Sequence, residues 1–108
     1  MTYQEASNEI KNNPSKVVAH MTTLTAVNGG IALIYHTTRV ITWYKNGTIQ
    51  LQHGGYLSPT TKRRINAYIP FGSIIQRDGL WCFVYKDITV SFSDKMHIRI
   101  EKDKNGIL

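Results

Sequence analysis

The chain has 108 residues, one cysteine and a formal net charge of +6, from 13 Lys and Arg against 7 Asp and Glu. This length suits a single domain, 1–108, and one cysteine excludes an internal disulfide framework. The longest apolar run is far shorter than the ~20 residues that span a bilayer. Because the polar start lacks the order of a secretory signal, we expect a soluble protein of the cytoplasm that does not associate with membranes.

The first predicted element is a helix that spans about residues 2–12 within an N-terminal segment, 1–13. Thr2 and Glu5 have the spacing of a capping box, in which each side chain bonds an otherwise unpaired backbone N–H. Three apolar residues fall on one helical stripe: Tyr3, Ala6 and Ile10. Pro14 is expected to end this helix.

The pattern then becomes that of β-strands. The stretch 16–25 is rich in β-branched residues, and Asn28-Gly29-Gly30 predicts a turn. The stretch 31–36 follows with apolar residues on both of its faces. A strand that is apolar on both faces is typical of a central position, so we expect this strand inside a sheet.

The strongest hairpin signal is the dipeptide Asn46-Gly47, which separates two alternating stretches. A two-residue turn there fixes a register whose paired side chains we expect in the core: Tyr44 with Ile49, Thr42 with Leu51, and Val40 with His53. The opposite face carries Arg39, Ile41, Trp43, Gln50 and Gln52. Trp and Arg are common anchors of protein interfaces, so Arg39, Trp43, Gln50 and Gln52 form a candidate protein-binding surface.

A second helix is predicted over about 59–69, after the breaker Gly54-Gly55. Ser58 fits the N-cap and Pro59 fits the first helical position. The residues expected on its inner side are Thr61, Ile65, Tyr68 and Ile69. Those expected to point outward are Lys62, Arg63 and Asn66, with Arg64 near the boundary.

The last third predicts a second hairpin around Asp78-Gly79, between strands at 73–77 and 80–85. Further strands are expected at 88–92 and 96–100, and 101–108 is predicted to be a frayed tail. These elements add up to a β-rich α+β fold. We expect an antiparallel meander of about seven or eight short strands, in one sheet or two small ones, with two short helices.

The densest concentration of chemically useful groups follows the first hairpin. Two glycines allow a close backbone approach, a helix start offers free N–H groups, and hydroxyls and cations follow. The candidate ligand-binding residues are Gly54, Gly55, Tyr56, Thr60, Thr61, Lys62, Arg63 and Arg64. They could cradle a phosphate, but a plain strand-to-helix turn with a solvated basic face explains the same residues. The order of residues is not that of a P-loop.

Other chemistry finds little support in the chain. The four histidines have no metal-ligand spacing, and no catalytic motif or cofactor-binding motif is present, so we expect neither an enzyme nor a metalloprotein. Cys82 lies in an apolar strand and is interpreted as a small core residue. Among the aromatic residues, only Trp43 and Tyr56 are expected to be accessible enough to stack on a base.

The central third of the chain resembles a family of small, uncharacterised phage-encoded proteins. The resemblance rests on the strings TTRVI at 37–41, NGTIQL at 46–51, GGY at 54–56 and TTKRRIN at 60–66. It implies a viral origin, and hence a host-cell cytoplasmic location. Small phage accessory proteins of this kind often act by binding, for example to block a host defence. The resemblance carries no functional residues over to this chain.

The leading hypothesis is therefore a binding protein for a phosphate-bearing ligand, either a nucleotide signal or nucleic acid, with host defence as its target. The positive charge favours such anionic partners, although a solubilising surface charge would explain it as well. A second hypothesis is an inhibitor or adaptor that binds a host protein. A third is a virion component or self-assembling homo-oligomer, because exposed strand edges favour pairing between copies.

Overall fold

The computed structural model describes residues 1–99. These residues form two helices and nine strands, which confirms the β-rich α+β class and adds strands to the seven or eight expected. In chain order the elements are α1 (Tyr3–Glu9), β1 (Ser15–Ala19), β2 (Thr22–Val27), β3 (Gly30–Tyr35), β4 (Thr38–Tyr44), β5 (Ile49–Leu51), α2 (Pro59–Tyr68), β6 (Ser73–Arg77), β7 (Leu80–Tyr85), β8 (Ile88–Ser91) and β9 (Met96–Ile98).

The strands form two antiparallel sheets. The larger sheet has the order β1-β2-β3-β4-β5-β9, and the smaller has the order β6-β7-β8. β3 lies inside the larger sheet, as its two apolar faces predicted. Every pairing is between chain neighbours except that of β9, which returns to pair with β5. The predicted strand 96–100 is observed as Met96–Ile98, while Ile100 and the predicted tail 101–108 lie outside the described residues.

Helix α1 begins at the predicted cap. The Glu5 backbone N–H donates to the Thr2 hydroxyl at 3.1 Å, and the Thr2 backbone N–H donates to a Glu5 carboxylate oxygen at 2.8 Å. The helix ends at Glu9, three residues before the predicted end, with Ile10 as its C-cap. Ala6 is fully buried, so the predicted apolar stripe does face the core.

The β-branched stretch near the N-terminus contains a turn that its sequence did not reveal. Met21 adopts a φ of +51° between β1 and β2, a backbone conformation that favours glycine or asparagine. Since neither residue type occurs at the turn, no local pattern indicates it. This turn accounts for one of the additional strands.

The β4–β5 hairpin differs from the prediction by one residue. The pairs are Ile41 with Leu51, Thr42 with Gln50, and Trp43 with Ile49. The loop has three residues, because the Tyr44 N–H bonds the Thr48 carbonyl at 2.9 Å, and Gly47 has a φ of +92°. A one-residue slip moves every side chain of a strand to the other face. Trp43 and Ile41 therefore face the core, opposite to the prediction.

The core lies between the larger sheet and a second layer made of the helices and the smaller sheet. Leu24, Leu33, Ile41 and Leu51 form one continuous row across four strands, and all are fully buried. Trp43 belongs to the next row, and its indole N–H donates to the Met1 carbonyl at 2.8 Å. Because there are only two layers, the Cα positions extend 39 × 38 × 19 Å, the shape of a thin plate.

Helix α2 packs against the smaller sheet through one polar side chain. The Asn66 amide nitrogen donates to the Ile74 carbonyl at 2.8 Å, and its oxygen accepts from the Ile74 N–H at 2.7 Å. The expectation that Asn66 points outward was therefore wrong, since it bonds the backbone of an edge strand. Thr61, Ile65 and Ile69 are buried, as predicted, and Asp78-Gly79 forms the predicted two-residue turn with Arg77 paired to Leu80. Neither described helix has the length and apolar composition needed to cross a membrane.

Candidate functional site

Backbone amides of the loop between β5 and α2 are hydrogen-bonded to other groups of the same chain. The N–H groups of His53 and Gly54 donate to one carboxylate oxygen of Asp94, at 2.8 and 3.4 Å. The Gly55 N–H donates to the His53 ring nitrogen Nδ1 at 2.9 Å, and the Tyr56 N–H donates to the His53 carbonyl at 2.8 Å. Neither glycine N–H is therefore unpaired in the structure, since that of Gly54 donates to the Asp94 carboxylate and that of Gly55 donates to the His53 ring.

The two glycines are explained by backbone geometry. Gly54 has a φ of +60°, and a Cβ atom there would lie 2.8 Å from the side chain of Thr38. Gly55 has a φ of +88° with open space around it, so only its backbone conformation requires glycine. The pair lets the chain turn sharply and pass close to β4, which matches the strand-to-helix turn considered as the alternative.

The start of α2 is organised as the sequence predicted. Ser58 is the N-cap, and its hydroxyl accepts from the Thr61 N–H at 3.2 Å. The same hydroxyl lies 3.0 Å from the hydroxyls of both Thr60 and Thr61. Pro59 occupies the first turn, where its missing N–H costs nothing. Three hydroxyl groups are thus gathered at the positive end of the helix dipole.

The three basic residues of α2 diverge. Lys62 donates to the Gln76 side chain on β6 at 3.3 Å, and Arg63 is exposed. The Arg64 guanidinium carbon lies 5.2 Å from the centre of the Tyr35 ring, within cation–π range. Its Nε is buried and has no hydrogen-bond partner among the described residues. These cations therefore do not converge on one point, as a phosphate cradle built from them would require.

A partly enclosed cavity of about 310 Å³ opens at the start of α2. Its lining residues come from the β3–β4 turn, from the loop before α2 and from the first turn of α2: Tyr35, His36, Thr37, Thr38, Val40, His53, Tyr56, Ser58, Thr60 and Thr61. Nine of these ten side chains carry a hydroxyl or an imidazole group, and none carries a carboxylate. Of the predicted ligand-binding residues, Tyr56, Thr60 and Thr61 line this cavity, whereas Gly54, Gly55, Lys62, Arg63 and Arg64 do not.

Sequence reasoning did not connect the β3–β4 turn with this site. His36 adopts a φ of +56° at the tip of that turn, and its ring lies 4.4 Å from the Tyr35 ring. His36 and Thr37 are more than 20 positions from Thr60 in the chain. Only the packing of α2 beside this end of the sheet brings them together, so no local pattern could have revealed it.

The predicted protein-binding surface is not assembled as expected. Trp43 is 1% exposed, so the expectation that it is accessible was wrong. The register of β4 and β5 explains this, since it turns Trp43 inward and leaves Gln50 on the outer face. Arg39 is exposed, while Gln50 and Gln52 are half-buried. Tyr56, the other aromatic residue expected to be accessible, is 63% exposed, which confirms that prediction.

Metal and thiol chemistry find no geometric support within residues 1–99. In that part of the chain, no three His, Cys, Asp or Glu side chains come together as a metal site would require. Cys82 is a free, half-buried thiol on β7.

Comparison with known proteins gives one match. No curated protein and no solved structure shows significant similarity to the chain. The sequence pattern of the Kyanoviridae Gp96 protein family, in contrast, matches residues 2–99, which is almost the whole chain. The match extends through both sheets and both helices described above. The chain therefore belongs to the Kyanoviridae Gp96 protein family, a family of phage proteins.

Proposed function

We propose that this phage protein binds the phosphate group of a nucleotide in the cavity at the start of α2. The observation that carries the proposal is the composition of the cavity wall. Five hydroxyl-bearing side chains other than tyrosine and two imidazoles surround a space without a carboxylate, and the N-terminus of a helix contributes to it. Hydroxyl donors at the positive end of a helix dipole favour a bound anion.

The surrounding charge favours an anion at this place. The chain carries a net charge of +6, and the Arg64 guanidinium carbon lies 5.2 Å from the centre of the Tyr35 ring, which lines the cavity. Asp94 is the acid that contacts the loop, but it accepts from the amides of His53 and Gly54 and is not part of the cavity wall. Its negative charge is thereby partly compensated, which lowers its repulsion of a bound phosphate.

The dimensions of the cavity favour a small ligand. Its volume of about 310 Å³ is at the lower end of the roughly 300–1,000 Å³ of ligand sites, enough for a phosphate and a ribose. Tyr56 is exposed at its rim and can stack on the base, a contact worth ~1–3 kcal/mol. A polynucleotide would instead need a longer basic groove, which the diverging side chains of α2 do not form. Capture of a nucleotide signal is the form of action against host defence that fits such a site.

The test is isothermal titration of the full chain with inorganic phosphate, mononucleotides, cyclic nucleotides and short oligonucleotides. Two variants probe the wall: Thr60→Val removes a hydroxyl, and His36→Asn removes an imidazole while tolerating the positive φ. Each is expected to weaken nucleotide binding by roughly tenfold, about 1.4 kcal/mol. Tyr56→Ala is expected to weaken nucleotides but not inorganic phosphate, because it removes only the stacking contact.

The controls separate this cavity from general charge effects. His97→Asn removes an exposed imidazole from β9, outside the cavity wall, and is expected to leave affinity unchanged. Lys62→Ala removes a cation held by Gln76 and is expected to have only a small, salt-dependent effect. Binding that is confined to oligonucleotides, or that is weakened equally by His97→Asn, would contradict the proposal.

A further inference from the structure

The four outer edges of the two sheets differ in how they are protected from pairing with another chain. The β1 edge carries Lys16, which forms an ion pair with Glu9 at 2.7 Å, and its register is broken by an irregularity between Val17 and Ala19. The β9 edge is only three residues long. Charge, irregularity and shortness are the usual devices that prevent edge-to-edge association.

The β6 edge is closed by α2. In the β6–β7 hairpin, Arg77 and Leu80 flank the two-residue turn and form a hydrogen-bonded pair. Hydrogen-bonded and non-hydrogen-bonded pairs alternate along an antiparallel ladder, so Ile74, three positions before Arg77, belongs to a non-hydrogen-bonded pair. Its backbone N–H and carbonyl therefore point away from β7. Both of these groups are bonded by the Asn66 side chain, which takes the place of a neighbouring strand. This edge is therefore satisfied within the chain.

The β8 edge has neither a charged side chain nor an irregularity. Its four residues, Ile88–Ser91, are all exposed, uncharged and in regular register with β7. The Phe92 N–H donates to the Trp81 carbonyl at 3.0 Å, so Phe92 and Trp81 form a hydrogen-bonded pair. Because hydrogen-bonded and non-hydrogen-bonded pairs alternate along the ladder, the backbone N–H and carbonyl groups of Thr89 and Ser91 point away from β7. Within residues 1–99 no strand pairs with β8 on this side.

Apolar side chains accompany this open backbone. Val90 lies opposite the buried Phe83, and Ile88 lies opposite Tyr85, so both belong to the face that covers the core. They are nevertheless 40% and 50% exposed, so the apolar row is left uncovered at this edge. An unpaired strand with an uncovered apolar row is typical of a surface that binds a further strand.

We propose that the partner is a second copy of this chain, paired antiparallel through β8 about a two-fold axis at Thr89. The two Thr89 residues then exchange both backbone bonds. Ile88 of each copy lies opposite Val90 of the other, because residues opposite each other share a face. The apolar row thus continues across the junction, and Asp87 meets Ser91, so no like charges face each other. The product is one six-stranded sheet built from two three-stranded sheets.

Sedimentation velocity of the full chain tests this pairing, from about 5 µM to about 500 µM, because so small a contact is expected to be weak. We expect a reversible dimer at the upper concentrations. Thr89→Pro removes an outward N–H that the β7–β8 pairing does not use, and Ile88→Lys places a charge on the edge. Each is expected to weaken association by roughly tenfold or more.

Val17→Lys is the matched control, since Val17 is an exposed apolar residue on a different sheet edge, 72% exposed. It is expected to leave association unchanged. Amide hydrogen exchange adds a second measurement, in which the Thr89 and Ser91 amides become protected only as concentration rises. A monomer at all concentrations would overturn the proposal. So would a dimer that persists in Thr89→Pro, or protection of these amides at the lowest concentration, which would mean that the edge is covered within one chain.

Discussion

At the scale of single residues, the structure depends on polar side chains that bond distant backbone. Asn66 bonds both backbone groups of Ile74, and Asp94 accepts from two amides of the loop at His53. Asn66 takes the place of a neighbouring strand beside β6, and Asp94 accepts from loop amides that have no backbone partner nearby. A backbone group left without a partner in a half-buried place costs about 1–3 kcal/mol, so these few side chains carry much of the local stability.

Asn66→Ala is expected to lower the free energy of unfolding by about 2–4 kcal/mol, because it leaves the N–H and carbonyl of Ile74 unpaired. Urea denaturation measures the change. Asn12→Ala, at an exposed asparagine in the loop after α1, is the control and should lie near zero. Equal stability of the two variants would show that the Asn66 bonds to β6 contribute nothing.

At the scale of elements, local capping chemistry was predicted well and strand register was not. Both helix caps lie at Thr2 and Ser58 as expected, since a cap depends on residues three positions apart. The turn at Asp78-Gly79 has the predicted two residues, whereas the loop ending at Gly47 has three. A two-residue loop and a three-residue loop both suit an Asn-Gly pair, so the turn residues alone do not set the register of β4. The observed register is the one that buries Trp43 in the core.

The α1 cap predicts a dependence of stability on pH. The hydrogen bond from the Thr2 backbone N–H, followed by that of its side chain, lowers the pKa of Glu5 below its ordinary value of 4.5. A carboxyl whose folded pKa is lowered stabilises the fold above its unfolded pKa, and this stabilisation is lost as the pH falls through the folded pKa. Wild type should therefore exceed Glu5→Gln in stability near neutral pH, and the difference should vanish in acid. Urea denaturation of both proteins from neutral to acid pH measures this difference in stability. A difference that does not depend on pH would contradict a lowered pKa of Glu5 in the folded state.

At the scale of the whole molecule, the two layers enclose one hydrophobic core and are also joined by hydrogen bonds from the N-terminal residue. The Met1 amino group donates to the Tyr68 carbonyl on α2 at 2.9 Å, and the Met1 carbonyl accepts from the Trp43 indole. One residue thus connects α2 to the larger sheet. The six strands of that sheet contain no Asp or Glu, while the described acids lie on α1 and on turns. The excess positive charge is therefore not balanced on the sheet itself.

Trp43→Phe tests this connection, because it removes the indole N–H and leaves a small cavity in the core. We expect a loss of about 1–3 kcal/mol in the free energy of unfolding. Hydrogen exchange should rise at the end of α2 as well as in β4, since Met1 bonds Tyr68 of α2 and Trp43 of β4. A change confined to β4 would mean that Met1 does not couple the two layers.

The sequence by itself determined the fold class, both caps, the Asp78-Gly79 turn, the buried side of α2 and the positive charge. Each of these follows from side chains a few positions apart or from composition, so no knowledge of distant contacts is needed. These are also the features for which the structure of residues 1–99 agrees best with the prediction.

Only the tertiary structure decided the rest of the site. It brought His36 and Thr60 to the wall of one cavity, paired the Gly54 amide with Asp94, and turned Trp43 into the core. These outcomes depend on residues some 20 to 40 positions apart, and on a competition between two registers that local turn chemistry allows equally. The register that buries more apolar surface is favoured, and that surface exists only once both layers have packed together.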